Sequence, residues 1–398
     1  MAFFGNDAVN RVNLHYGVQA LATGAGGVFF FAYLLHAGIS VPATLATFAA
    51  IIAGRFVLRP VILPLGKRWG LRPLVIAGAL LIATQYAMLG EVRGPGPWLV
   101  AYGVVASLGD TFYWPAYHAY FAALGDAEHR GHQIGAREAL AAAVGVVAPL
   151  LGAWSLVTVG PSWTYLAVAA VQALSAAPLL FAPDVPVLAT APGAFRAARS
   201  GMAIFAIDGW LGGSYYFVWQ VVLFVSLGRS LAAYGGAVAL AALVGAVIGL
   251  FFGRHIDRGH GRRAVIIAYA VTAGVVLVRA ASLHTPWLAV VGNALGAFVV
   301  ALLLPAMMTA VYNLAKASPC PLRFHIATEG AWDIGCGSAA LTAAALAASG
   351  ISLAASLLLA LPAIGLCAWL LWRYYGANPA AAEIEIPMPL IPEPPAPP

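Results

Sequence analysis

Charge is what this 398-residue sequence has least of: Lys, Arg, Asp and Glu together make up 9% of it, against about 25% in an ordinary soluble domain. A chain so poor in charge cannot cover a water-facing surface, which excludes a soluble globular fold. Cysteine is nearly missing as well. Cys320, Cys336 and Cys367 are an odd number at spacings that fit neither a zinc site nor a disulfide framework. The sequence has no Walker-type phosphate loop, H-E-x-x-H helix or G-x-S-x-G elbow, so an ATP-driven pump or a membrane hydrolase would lack its machinery. The net charge of +6 forms no folded basic surface of the kind that reads nucleic acid, and no nucleic-acid partner is expected.

What the sequence does have is apolar length. Hydrophobic residues make up 62% of the chain, and they fall into twelve runs: 13–38, 41–65, 73–90, 98–122, 133–158, 161–182, 201–227, 231–252, 263–282, 285–312, 323–348 and 351–373. Each is long enough to cross a hydrocarbon core of about 30 Å as a helix. The runs are continuously apolar, whereas barrel strands would alternate. The expected fold class is therefore an all-α polytopic membrane protein of twelve transmembrane helices. No cleavable signal stands apart from the first run, which places the N-terminus in the cytoplasm. With that orientation fifteen Lys and Arg residues lie on the cytoplasmic side and three, Arg93, Arg229 and Arg279, lie outside, as positive-inside retention requires. Both termini are expected in the cytoplasm and the protein in the inner membrane, surrounded by lipid and monomeric. Trp98, Trp163, Trp287 and Trp372 sit at span ends, where interfacial aromatics belong.

The chain repeats itself. "GKRWGLR", between the second and third runs, aligns with "GRHIDRGHGRR", residues 253–263, at an offset of 190 to 191 residues. The same offsets pair Pro115 with Pro305 and Glu138 with Glu329. Two pseudo-symmetric six-helix bundles in tandem account for this: 1–182 and 201–375, joined by a cytoplasmic linker, 183–200. The last stretch, 376–398, has eight prolines in twenty-three residues and reads as a disordered tail.

At this point the sequence resembles the major facilitator superfamily of secondary transporters. Gly253, Asp257, Arg258, Gly261, Arg262 and Arg263 match that family's G-x-x-x-D-R-x-G-R-R loop with one extra residue, while the first copy is degraded, with Lys67 in place of the aspartate. The resemblance implies two bundles around a central cavity, with spans three, six, nine and twelve outermost, and alternating access without a cofactor. An aspartate at a helix end flanked by arginines can pair with them and with neighbouring helix N-termini, so Asp257, Arg258, Arg262 and Arg263 are expected to form a conformational lock.

Ionisable groups at membrane depth cost several kcal/mol unless they face water or a partner, and each is a functional candidate. Asp110, Trp114, Tyr117 and His118 share one face of span four, and Asp208, Tyr215, Tyr216 and Trp219 form a second aromatic-rich segment on span seven. With Gln19 and Thr23, four apart on span one, they are the expected substrate contacts. Their acidic and aromatic character suits a small amphipathic or cationic solute. Arg55 is read as the only basic group well inside, a neutraliser for a carboxylate.

His325, Glu329 and Asp333 are four apart and stack on one face of span eleven. Two carboxylates a turn apart repel each other, and a proton on one relieves that, so Glu329 or Asp333 is expected to carry a coupling proton. Glu138, the repeat-related counterpart of Glu329, is grouped with them, although Arg137 beside it favours the charged form. "APLLGA", residues 148–153, is similar to the G-P-x-x-G-G element of proton-coupled drug exporters, which leans the expectation to efflux. The alternatives are a proton-coupled importer of a small solute or of a metal species held by His36, His118, His325 and the carboxylates, and a non-transporting scaffold or sensor. No metal site or cofactor is assigned, and no enzymatic activity is expected.

Overall fold

The structure, a computed structural model, describes residues 6–124, 130–252 and 261–377, apart from the side chains of 122, 130–142, 248–252, 261, 301, 304, 305 and 312. Glycine and proline divide the apolar sequence into helical rods. In chain order these are α1 (Asp7–His36), α2 (Val41–Trp69), α3 (Leu71–Leu89), α4 (Pro97–Leu124), α5 (Arg130–Thr158), α6 (Pro161–Leu180), α7 (199–226), α8 (Leu231–Phe252), α9 (Gly261–Ala281), α10 (Pro286–Lys316), α11 (Pro321–Ala348) and α12 (Leu353–Ala377). Seven of them, α1, α2, α3, α6, α9, α11 and α12, are by themselves long and apolar enough to cross a membrane within the described residues. Among the described residues there is no strand.

Local chemistry sets the starts. The side chains of Asn6, Ser40 and Ser352 accept from Val9, Ala43 and Ala354 backbone N–H groups and so cap α1, α2 and α12. Pro161, Pro286 and Pro321 occupy first helical turns, where their missing N–H costs nothing. Two rods are distorted where it matters below. Pro60 tightens α2 into a 3₁₀ turn over Arg59–Val61, and α7 widens into a π-helix over Gly212–Phe217.

The two halves meet through α1, α2, α4 and α5 on one side and α7, α8 and α11 on the other, whereas α3, α6, α9 and α12 pack chiefly within their own halves. Small residues bring the central rods close. A Cβ added at Gly209 of α7 would collide with the Trp332 carbonyl of α11, and one at Gly335 of α11 with the Ala206 carbonyl of α7. The element "APLLGA" packs both ways, Ala148 on Gly24 of α1 within its own half and Ala153 on Gly235 of α8 across the boundary.

The linker is tied to both halves. Asp184 accepts from the Arg72 backbone N–H at 3.0 Å, and the Arg72 side chain donates to the Ala182 carbonyl at 2.9 Å. Gly70, at φ +84°, leaves the Asp184 carboxylate the space a side chain would fill. Arg323 of α11 donates to the Leu188 and Ala189 carbonyls at 3.1 and 3.0 Å. Asp257 and Arg258 of the expected lock, and the tail from 378, lie outside the described residues.

Candidate functional site

The deepest charges gather where α2 and α4 of the first half face α11 of the second. Arg55 and Arg59 are one turn apart on α2, and Glu329 and Asp333 one turn apart on antiparallel α11, so two cations present to two anions across the boundary. Arg59 Nε donates to Asp333 Oδ2 at 3.0 Å and its Nη2 to the same oxygen, while Arg55 Nη2 lies 3.2 Å from Asp333 Oδ1. Asp333 is thus gripped by both guanidiniums and its side chain is wholly buried. Glu329 is held more loosely: its carboxylate is 3.6 Å from Arg59, 3.7 Å from Arg55 and 3.7 Å from His118 Nε2. Asp110 of α4 completes the group 3.5 Å from Arg55 Nη1, and a quarter of its side chain is exposed.

Aromatic groups wall this cluster. His118 stacks between Trp114 and His325, with centroids 5.8 and 5.7 Å away. The Arg55 guanidinium sits 5.6 Å over the Trp332 ring, and Trp332 Nε1 donates to Asp208 of α7 at 3.1 Å. Asp208 therefore connects to the cluster through an indole, and no described cation lies within ion-pair range of it. Behind α4, Tyr117 stacks on Tyr113 at 5.3 Å and on Tyr16 at 5.7 Å. Gln19 accepts from the Tyr113 hydroxyl, which also meets His15 Nε2 at 2.8 Å, and His15 Nδ1 donates to the Ser175 carbonyl at 2.7 Å. Thr23 is exposed one turn further along α1.

The structure thus brings together Asp110, Trp114, His118, Glu329 and Asp333, with Asp208 adjoining, and sets Gln19 and Tyr117 in an aromatic wall beside them. It takes Tyr215 and Trp219 elsewhere. Both are fully buried, and the Arg279 guanidinium of α9 lies over their rings at 4.2 and 4.5 Å. Arg279 also donates to the Tyr215 carbonyl at 3.0 Å and to the Gly292 carbonyl at 3.1 Å. It is 4% exposed and sits in the last turn of α9, so it is a packed, buried group at the end of its span. Tyr216 is half-buried, edge-on to Tyr215 at 4.8 Å. Of the expected lock, Arg262 stacks on Trp372 at 3.9 Å and donates to its carbonyl, joining α9 to α12, and Arg263 is exposed. The Glu138 side chain lies outside the described residues.

Sequence reasoning missed two members. Arg59 is 2% exposed, so Arg55 is not the only buried cation of its rod. The signal was the i, i+4 repeat of arginine inside one apolar run, which matches the i, i+4 repeat of carboxylates on span eleven. Trp332 gave no such signal, because its role depends on α7 and α2 flanking α11. Among the described residues no three His, Cys, Asp or Glu side chains could hold a metal ion together.

The family model of the Major Facilitator Superfamily matches residues 16–225, just over half of the chain. No curated protein matches the sequence. Among solved structures, the human organic anion transporter MFSD10 (TETRAN) superposes with a TM-score of 0.65 at 16% identity, over 92% of this chain and 99% of that one. The POT family transporter PepTSo gives 0.68 at 11% identity, over 93% and 98%. An auto-inhibited POT family peptide transporter gives 0.66 at 12% identity, over 93% and 96%. At such identities the structural matches speak for the fold, and the family model speaks for descent. The chain belongs to the major facilitator superfamily and is a secondary transporter.

Proposed function

We infer that the protein exports a small amphipathic or cationic solute in exchange for protons, by alternating access, with all twelve rods spanning the inner membrane and both termini in the cytoplasm. The observation that carries this reading is the composition of the cluster between the halves. Three carboxylates, Asp110, Glu329 and Asp333, face two guanidiniums, Arg55 and Arg59, so with its histidines neutral the group carries one surplus negative charge. A lone charge at low dielectric is costly. A proton or the cationic group of a solute supplies the missing positive charge, and competition between the two for one place is what couples their movements in opposite directions.

The residues divide the work. Asp333, hydrogen-bonded by Arg59 and ion-paired with Arg55, holds α2 to α11. Glu329, looser and beside His118, exchanges the proton. Asp110, the most exposed of the three, meets the solute together with Trp114, and Asp208 extends the acidic surface towards α7. Gln19 and Thr23 line the same side. The direction rests on the likeness of residues 148–153 to the G-P-x-x-G-G element of proton-coupled drug exporters. An importer of a zwitterion is the second reading, favoured by the mixture of both charge signs in one cluster.

The test is made in proteoliposomes with tetraphenylphosphonium as the cationic probe and dialanine as the zwitterionic one. Wild type should move tetraphenylphosphonium against a gradient when the lumen opposite is acidified. Glu329→Gln should lose that pH-driven flux and keep counterflow, in which solute exchanges for solute. If Glu329→Gln retains pH-driven flux, the coupling group is elsewhere; if only dialanine moves, the zwitterion reading replaces this one.

A further inference from the structure

Where α3 ends and α4 and α6 begin, the outside of the first half carries a hollow of about 450 Å³. It is lined by the apolar Ala87, Met88 and Leu166, the indoles of Trp98 and Trp163, and the carboxylate of Glu91. It lies at the ends of three rods, on the side of α3 and α6 that faces away from the boundary between the halves. That position matches the headgroup level of a bilayer, where tryptophan concentrates. Below it the surface stays apolar and outward-facing: Leu80 of α3 and Leu166 and Leu174 of α6 are all exposed, at helical spacings that put them on one seam with the hollow.

Glu91 of the lining has a neighbour of opposite charge, Arg93, which reaches the hollow through its bond to the lining residue Ser162, and the two charges do not consume each other. Glu91 and Arg93 are 3.9 Å apart, each about half exposed, which is long beside the roughly 2.7–2.9 Å of a charge-assisted hydrogen bond. Arg93 is fixed by other partners. Its Nη1 donates to the Tyr33 hydroxyl at 2.9 Å and to the Gly90 carbonyl at 2.5 Å, and its Nη2 to Ser162 Oγ at 2.7 Å. A guanidinium has five hydrogens, so Nε and the second hydrogen of Nη2 are left for an anion. Glu91 has no other ion pair among the described residues and shares the hollow with two indoles, a setting that attracts an organic cation.

We propose that this hollow binds one phosphatidylethanolamine molecule, its primary ammonium on Glu91 beside Trp98 and Trp163, its phosphate on Arg93, and the start of an acyl chain on Ala87, Met88 and Leu166. The headgroup follows from the side chains. A primary ammonium donates charged hydrogen bonds to a carboxylate, a quaternary choline has no hydrogen to donate, and an anionic glycerol headgroup offers Glu91 only neutral hydroxyls and no positive charge. The site is separate from the cluster at α2, α4 and α11, so it stands or falls independently of the transport reading.

The test is native mass spectrometry of the full-length protein released from detergent with equimolar POPE, POPC and POPG. One POPE should be retained at least tenfold over the other two. Glu91→Gln should lower that retention about tenfold, Glu91→Asp should keep most of it, and Ala87→Trp, which fills the hollow, should abolish it. Thermal midpoints of the variants in lipid-free detergent separate lost binding from lost fold. Equal retention of the three lipids by the wild type overturns the proposal whatever the variants do, because that is the behaviour of ordinary boundary lipid. Unchanged POPE retention in both folded Glu91→Gln and Ala87→Trp overturns it too, since the lipid then sits elsewhere.

Discussion

The two halves bury their arginines in different company. In the first half Arg55 and Arg59 meet carboxylates, and two of the three belong to α11 of the other half. In the second half Arg279 meets no carboxylate among the described residues, only the Tyr215 and Gly292 carbonyls and the faces of Tyr215 and Trp219, all within its own half. Carbonyl dipoles and ring quadrupoles can neither lose their charge nor leave with another bundle. Carboxylates can do both: a proton removes the charge, and a rotation of the halves carries the partner away. A buried cation whose counter-charge sits on the opposite half suits a contact that must break, whereas one satisfied inside its own half suits a contact that must hold. The π-helix of α7 belongs to the second kind, because the Tyr215 carbonyl that Arg279 uses lies within it.

The comparison breaks most sharply at Arg59. Arg59→Gln leaves Asp333 buried with one of its two cations gone, and removing one partner of a buried pair costs about 3–5 kcal/mol. The expected outcome is a large fall in the unfolding free energy measured by denaturant titration in detergent, with transport lost. Adding Asp333→Asn to the same chain should recover much of the loss, because the uncompensated charge disappears with it. A double variant no more stable than Arg59→Gln alone would mean that packing, not charge, dominates there.

Arg279→Gln is the next step down. The Tyr215 and Gly292 carbonyls lose their donor, at about 1–3 kcal/mol for a buried group left unsatisfied, and two rings lose their cation. Here no carboxylate substitution should rescue, and testing Asp208→Asn as the second change makes that concrete. Rescue by Asp208→Asn would erase the distinction between the two arginine sites. Smaller again is Arg279→Lys, which keeps the charge but loses the flat fork that bonds two carbonyls while lying on two rings. About 1 kcal/mol of destabilisation is expected from the weakened cation–π contacts, with counterflow rates close to wild type.

How much of this was legible beforehand follows from which physics the residues express locally. The helical class and the division into rods were written in run length and in the prolines and glycines between runs. The face shared by His325, Glu329 and Asp333 was legible too, because an α-helix places i and i+4 together whatever surrounds it. What occupied the opposite side was not, since pairing α2 with α11 joins residues 274 apart, and nothing in either segment names its partner. Tyr215 and Trp219 illustrate the same limit. Their composition matched an aromatic cavity wall, but rotation about α7 turns them to Arg279, and that rotation depends on the π-helical turn. The family loop 253–263, which carried the resemblance, lies mostly outside the described residues, and the family model matches residues 16–225, ahead of it.

The smallest expected effect is also the one that separates the cluster from its neighbour Asp208. Trp332 serves both, with its ring 5.6 Å under Arg55 and its Nε1 3.1 Å from Asp208. Trp332→Phe keeps a ring face for the arginine and removes only the donor. A single hydrogen bond to a charged group contributes about 1.5–3 kcal/mol, but Asp208 is partly exposed, and water in the cavity can replace the lost donor. Stability should therefore change by less than about 1 kcal/mol. The carboxylate, relieved of its indole, should attract an organic cation more strongly, and tetraphenylphosphonium is expected to bind several-fold tighter by equilibrium dialysis. Asp208→Asn in the same background should cancel the gain. If Trp332→Phe weakens tetraphenylphosphonium binding and Asp208→Asn does not alter it, the indole itself is the contact for the cation, and Asp208 serves only to orient that ring.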